Sequence, residues 1–159
     1  MTWRLLFDAL SLDGGPSGTK SRLLLLAPEL ARRGYDVGVV HGPELDAAAR
    51  TALAPARLFA ASAGLPRRAL LRLMIQPRLR SAAIGDWAPD VVVNETWPMP
   101  TPPKPARAVA TIHDVRRLRN GGPEATVFRG MLRRTIKGAD AVHVVSEAVR
   151  VELEGEGFD

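Results

Sequence analysis

The sequence predicts a doubly wound α/β domain, in which helices cover both faces of a parallel sheet in the three-layer αβα arrangement of Rossmann-like folds. Two observations indicate this class. Six short runs rich in valine and other apolar residues alternate with helical patterns, and several of these runs are too apolar to have a solvated face. The chain has 159 residues, 46% of them hydrophobic and 25% charged, which suits one globular domain spanning residues 1–159.

The first half of the chain predicts two strand–helix pairs. Residues 3–10 form an apolar run that predicts a strand, and the turn formers at 11–18 predict a loop. Ser17 is a suitable N-cap for a helix that ends near Gly34, where two arginines precede the glycine. The valine-rich run at 36–40 predicts a second strand, and residues 44–53 predict a helix.

The rest of the chain continues this alternation. Residues 57–61 predict a strand, and a long helix is expected from Pro66 towards residue 84, disturbed at Pro77. Residues 90–94 predict a fourth strand, and five prolines at 97–105 predict an extended loop. The remaining expected elements are strands at 108–112 and 141–145, a helix at 125–137, and a helix capped by Ser146 that runs to about residue 155.

Composition excludes several classes of function. The chain has no cysteine, so it has no disulfide, thiolate metal site or cysteine nucleophile, and the cytoplasm is the expected compartment. Its four consecutive leucines fall far short of the roughly 20 apolar residues that a membrane-spanning helix needs. The N-terminus lacks the pattern of a secretory signal peptide.

The net charge of +5 is unevenly distributed. No acidic residue occurs between Asp46 and Asp86, an interval that contains seven arginines. This pattern is typical of a surface that contacts phosphates, anionic lipid or nucleic acid, although a solvated surface explains it equally well. The stretch from Arg67 to Arg80 has two interpretations. It fits a core helix, and it also fits a helix that lies on the inner face of an anionic membrane as a peripheral contact. Nucleic acid is the least favoured partner because the chain has few aromatic side chains and no known binding motif.

Candidate site residues follow the predicted strands, because ligands of open parallel sheets bind beyond the carboxyl ends of the strands. Asn94 and Glu95 follow the fourth strand, and His113 and Asp114 follow the fifth. The alternative is that such polar residues only cap helices and form turns, which explains an aspartate better than it explains His113. His143 lies within an apolar run, which predicts a hydrogen-bonded core histidine.

The glycine-rich stretch GGPSGTKS at residues 14–21 is compatible with phosphate binding. It matches neither the Walker A loop nor the GxGxxG fingerprint. Its small residues would still permit close approach of a phosphate to the backbone amides at the start of a helix, whereas the alternative is a plain tight turn. No histidines and carboxylates have the helical spacing of metal ligands, so no metal site is predicted.

Four motifs in order resemble a known family. They are LxxPELAxRGYDV at 25–37, APDVVV at 88–93, TIHD at 111–114 and GADAVxVVSExVR at 138–150. In content, order and spacing they are similar to the N-terminal domain of GT-B glycosyltransferases, in the large retaining family that contains mannosyl- and glucosyltransferases. The likeness covers nearly the whole chain.

The resemblance implies a metal-independent, retaining hexosyl transfer from a nucleotide-sugar to a sugar, glycan or lipid-linked acceptor, with no other cofactor. It also implies a C-terminal donor-binding domain that this chain lacks, so the chain alone is expected to be inactive. Gly15, Gly18 and Thr19 would face the donor phosphates, and His113 would lie near the transferred sugar. The acceptor side would include Asn94, Glu95, Trp97 and Asp114. The alternative is a free-standing domain that binds a nucleotide or small molecule without catalysis.

Overall fold

The computed structural model describes residues 2–10, 17–65, 69–95, 99, 102, 105–119 and 121–158, without the side chains of residues 69, 70, 73 and 117. Its strands are β1 (Arg4–Ala9), β2 (Asp36–His41), β3 (Arg57–Ala60), β4 (Val91–Asn94), β5 (Arg107–Ile112) and β6 (Ala141–Val144). They form one parallel sheet in the order β3-β2-β1-β4-β5-β6. This is the strand order of the doubly wound Rossmann fold, so the predicted fold class is confirmed.

The helices are α1 (Gly18–Arg32), α2 (Ala47–Ala52), α3 (Ala69–Ile84), α4 (Arg116–Arg119), α5 (Gly122–Gly138) and α6 (Glu147–Gly155). Ser17 and Ser146 cap α1 and α6 as predicted, each accepting a backbone N–H three residues later. α2 begins later than predicted because the carboxylate of Asp46 provides its N-cap. α4 was not predicted, because a helix of a single turn is too short to show a periodic pattern of apolar residues in the sequence.

The two faces of the sheet carry separate apolar clusters. On one face, Phe7 and Val39 pack with Leu23 and Ala27 of α1. On the other face, Leu6 of β1 packs with Ile84 at the end of α3, and α5 and α6 continue the cover over β5. The fold therefore leaves the carboxyl ends of β1, β4 and β5 close to the start of α1.

The strand predicted at 141–145 is present as β6, but the expectation that it is buried was wrong, and so was the interpretation of His143 as a core residue. The first three residues of β6 are exposed, including His143. The physical reason is that β6 is the last strand in the sheet order, so within the described chain it pairs with β5 alone. A valine-rich sequence predicts a strand but does not reveal its place in the sheet.

The basic stretch at 67–80 is only partly a surface feature. Arg80 lies in the core, where its Nη1 donates to Oδ2 of Asp8 at 3.1 Å, and both side chains are almost completely buried. Leu71, Met74 and Arg78 of the same helix are exposed. Pro66, Arg67 and Arg68 lie outside the described residues. Within the described ranges, none of the helices combines the length and apolar character that a membrane crossing requires.

Candidate functional site

The first turn of α1 reaches the carboxyl edge of the sheet. Ser17 Oγ accepts the N–H of Lys20 at 3.1 Å, and Gly18 and Thr19 form the start of the helix beside it. Lys20 Nζ pairs with Oδ2 of Asp46 at 2.5 Å, which links α1 to the start of α2. An open groove of about 550 Å³ lies between these two helices. Gly15, the third residue predicted to contact donor phosphates, lies outside the described residues.

Glu95 is the centre of the site at the end of β4. Its side chain is completely buried, and its two oxygens have different partners. Oε1 accepts from Nη1 of Arg22 on α1, and Oε2 lies 3.2 Å from Nε2 of His113, just beyond β5. The structure therefore brings together Glu95 and His113, two of the predicted site residues, and adds Arg22 to them.

The electrostatics of this cluster keep Glu95 ionised. Burial by itself raises the pKa of a carboxyl, but the hydrogen bonds from His113 and Arg22, together with their charges, outweigh it, so the pKa of Glu95 is lowered. The arginine balances the buried negative charge. The side chains of Arg22 and His113 are about one quarter exposed, at 24% and 23%, so solvent or a ligand can reach them from outside.

Two further residues border the cluster. Thr111 of β5 is buried and lies in register with His143 of β6, and its Oγ1 has no hydrogen-bond partner among the described residues. His143 is exposed as a residue, but the partial loss of water around its ring lowers its pKa. The positive charge of Arg22 also lowers this pKa, while the charge of Glu95 raises it more weakly. His143 therefore belongs to the electrostatic surroundings of the site.

Two other predicted acceptor-side residues are directed elsewhere. Asn94 is buried in register with Asp8, and successive residues of a strand point to opposite faces, so its side chain lies on the α3 side and Glu95 on the α1 side. No partner for either atom of its amide is found in the described part of the chain. Asp114 pairs with Arg116 at 2.9 Å and accepts its backbone N–H, as a turn residue does. Trp97 lies outside the described residues.

The sequence analysis missed Arg22 because a charged residue next to four leucines looks like part of a solvated helix edge. The sequence does contain one indication of a role for Arg22, which is its position in the second turn of α1, directly after the glycine-rich stretch of the sequence. His41, which also ends a strand, is buried instead and has Nδ1 2.6 Å from the carbonyl oxygen of Gly42. Across the described ranges, no group of three or more histidines and carboxylates is arranged to hold a metal ion.

The family of the chain follows from its similarity to known protein families. The pattern of Glycosyltransferase Family 4 matches residues 16–159, which is most of the chain and includes every described residue of the site. The chain belongs to Glycosyltransferase Family 4. This family 4 domain has no match in a search of curated proteins.

Two solved structures resemble the family 4 chain at 18% sequence identity. One is a glycotransferase of kitacinnamycin, with a TM-score of 0.49, where the match covers 84% of this chain and 41% of the other. The second is CalG4, the calicheamicin glycosyltransferase, with a TM-score of 0.47 and coverage of 98% and 42%. The family 4 chain thus spans less than half the length of the solved structures that it matches.

Proposed function

We propose that this chain is the acceptor-side domain of a glycosyltransferase that moves a sugar from a nucleotide-sugar to an acceptor hydroxyl, with retention of configuration and without a metal ion. Membership of family 4 supports sugar transfer. The observation that carries the proposal is the position of Arg22, Glu95 and His113 at the carboxyl edge of the sheet, where doubly wound domains bind their ligands.

The donor phosphates are assigned to the start of α1. Gly18 and Thr19 supply first-turn amides, the first turn contains no acidic residue, and an anion is stabilised at a helix N-terminus. A Cβ added at Gly18 would meet no described atom within 4 Å, so packing among the described residues does not require a glycine there. Gly15, which precedes the helix in the sequence, is proposed to complete this contact.

The acceptor side is assigned to the ends of β4 and β5. His113 lies near the transferred sugar and the acceptor hydroxyl, and Glu95 acts behind it because its own side chain is buried. Asn94, Trp97 and Asp114 remain proposed as the surrounding acceptor-side residues. The acceptor is a sugar, a glycan or a lipid-linked saccharide.

A second domain would supply what this chain does not. In the proposed enzyme it grips the nucleotide-sugar across the cleft and stabilises the charge on the departing diphosphate, which is a large contribution to catalysis. The cluster described above has one arginine and one buried carboxylate, so it has little net charge for binding a diphosphate by itself. The isolated chain is therefore expected to bind nucleotide-sugars weakly and to transfer none.

The test uses the protein encoded by the whole gene, assayed with a panel of nucleotide-sugars and analysed by NMR for the anomeric configuration of the product. We expect transfer with retention, and we expect His113→Ala to lower kcat by roughly 100-fold because it removes a group at the reacting centre. The free energy of unfolding should fall by no more than about 1–3 kcal/mol, the cost of leaving Oε2 of the buried Glu95 without its donor, so the variant should stay folded. Asp86→Asn, an exposed change in the turn before β4, is the control variant.

Three outcomes would contradict parts of the proposal. A product with inverted anomeric configuration would show that the proposal of retention is wrong, but it would leave the proposal of sugar transfer in place. Tight nucleotide binding by the isolated chain, with no transfer by the full protein, would favour a domain that binds nucleotides without catalysis. Equal kcat for His113→Ala and the parent would remove His113 from the site.

A further inference from the structure

The hydrogen bond between His113 and Glu95 determines which ring nitrogen carries a proton. A neutral imidazole has one nitrogen that donates and one that accepts. A carboxylate only accepts, so Nε2 of His113, which lies 3.2 Å from Oε2 of Glu95, must be the nitrogen that donates. In the neutral ring, Nδ1 then carries a lone pair and no hydrogen.

Glu95 can impose this arrangement because it is itself fixed. Arg22 donates a hydrogen bond to Oε1, the other oxygen of Glu95. Both oxygens of the buried carboxyl therefore accept hydrogen bonds, and neither carries a proton that could be donated to the imidazole. The lowered pKa of Glu95 agrees with this geometry. A change of rotamer by Glu95 would leave the buried carboxylate without its two hydrogen-bond donors, which is unfavourable for a buried charge.

The remaining nitrogen of His113 is available to a ligand. Within the described part of the chain, Nδ1 has no hydrogen-bond partner, and the side chain is partly exposed. The charged and titratable groups around the ring are Glu95 and Arg22 on its inner side, His143 on β6, and Asp114, the next residue in the chain. Asp114 is paired with Arg116.

We propose that Glu95, held by Arg22, is a positioning residue that directs the Nε2–H of His113 inward and presents Nδ1 as a hydrogen-bond acceptor, so that the group bound at His113 is a hydroxyl and not an anion. That His113 binds a ligand at all rests on the function proposed above. The lone pair on Nδ1 attracts a hydroxyl hydrogen and repels a phosphate oxygen. This assigns phosphate to the start of α1 and a sugar or acceptor hydroxyl to His113.

The direct test is NMR of the imidazole nitrogens in the ¹⁵N-labelled chain, at about pH 9, where a histidine of ordinary pKa near 6.5 is neutral. The chain has three histidines, which makes assignment by substitution practical. His41 is an internal reference of the opposite form, since its Nδ1 faces a carbonyl oxygen and must donate to it. We expect His113 to carry its proton on Nε2, with slow exchange of that proton, and His41 to carry its proton on Nδ1.

The variants separate positioning from folding. Glu95→Gln keeps the volume of the side chain but offers a neutral amide, so the exchange of the His113 ring proton should become at least about 10-fold faster, as expected when a charge-assisted hydrogen bond is replaced by a weaker one. Arg22→Gln should have a smaller effect of the same kind. A His113 proton on Nδ1 in the parent chain would overturn the proposal, and that measurement needs no variant to fold. Unchanged exchange in a folded Glu95→Gln chain would also overturn it.

The kinetics of the full protein test whether the orientation of His113 matters for sugar transfer. Glu95→Gln is expected to lower kcat at least about 10-fold and to leave the KM for the nucleotide-sugar unchanged, because the orientation of His113 is lost while the phosphate contacts at α1 remain. If the full protein transfers sugar but His113 carries its proton on Nδ1, this inference fails and the proposed function stands. If no sugar is transferred but the ring proton is on Nε2, only the proposed function fails.

Discussion

At the scale of single residues, the site depends on how one buried carboxylate is neutralised. Glu95 would be costly to bury alone, and the structure compensates for this with one full charge from Arg22 and one hydrogen bond from His113. The three residues come from α1, from the end of β4 and from the loop after β5. The stability of the cluster is therefore tied to the ionisation of Glu95.

The lowered pKa of Glu95 predicts a pH-dependent contribution to stability. A carboxyl whose pKa is lower in the folded state than its ordinary value of 4.5 stabilises the fold fully above about pH 4.5, and this stabilisation is lost as the pH falls through the folded value. The unfolding free energies of the parent and Glu95→Gln, measured with urea, should therefore differ at pH 7 and converge as the pH falls below about 4.5. The exposed change Glu44→Gln should stay within about 0.5 kcal/mol of the parent at pH 7. A Glu95→Gln difference that does not vary with pH would contradict the assignment of the ion pair.

At the scale of elements, α3 shows how an amphipathic pattern can conceal a buried charge. The basic residues of this helix give it the sequence of a surface helix, yet Arg80 passes into the core and reaches Asp8 in the middle of the sheet. Burial raises the pKa of Asp8, and the charge of Arg80, followed by weaker interactions with Gln76 and the backbone of Leu10, opposes this. The pair therefore anchors α3 to β1 through polar groups within an otherwise apolar contact.

This arrangement predicts that Arg80→Met destabilises the protein by about 3–5 kcal/mol at neutral pH, because it leaves Asp8 as an uncompensated buried charge. A raised carboxyl pKa stabilises the neutral form, so the loss should be smallest below about pH 3.8 and should grow as the pH rises through the folded value. Combining it with Asp8→Leu should recover most of the stability, since an apolar pair replaces the ion pair. Arg78→Met on the exposed side of α3 is the matched control, and an equal effect of the two single variants would refute the buried role.

At the scale of the whole molecule, the positive charge is less concentrated than the sequence indicates. Among the seven arginines of the interval without acidic residues, Arg80 is buried and Arg57 pairs with Asp36 at 2.8 Å. The exposed part of α3 still combines Arg78 with two large apolar side chains, Leu71 at 42% and Met74 at 63% exposure. This combination is typical of a surface that contacts an anionic membrane.

We therefore expect weak binding of the chain to phosphatidylglycerol vesicles and none to phosphatidylcholine vesicles in co-sedimentation. Binding should fall as salt is raised, because screening weakens the attraction of surface charges. Met74→Asp should abolish it, whereas Val151→Asp, at a residue of α6 that is 55% exposed, should not. Equal sedimentation with both lipids, or no sedimentation with either, would exclude a role of α3 at the membrane.

The class of fold and most of its elements were predictable from the amino-acid sequence. Apolar runs of strand length, alternating with helical patterns, are local properties, and the caps Ser17 and Ser146 and the strand ends at Asn94 and His113 could be identified from neighbouring residues alone. The ordered motifs also indicated an N-terminal glycosyltransferase domain, which the match to Glycosyltransferase Family 4 supports.

Which of these residues meet depends on how distant elements pack against one another. Arg22 and Glu95 are 73 positions apart, and Asp8 and Arg80 are 72 apart, so no local pattern could pair them. The strand order placed β6 at the edge of the sheet and exposed His143, while the alternation of β4 separated Asn94 from Glu95. A charged side chain has the same sequence signal on a surface and in a buried pair, and only the packing of distant elements determines which of the two it becomes.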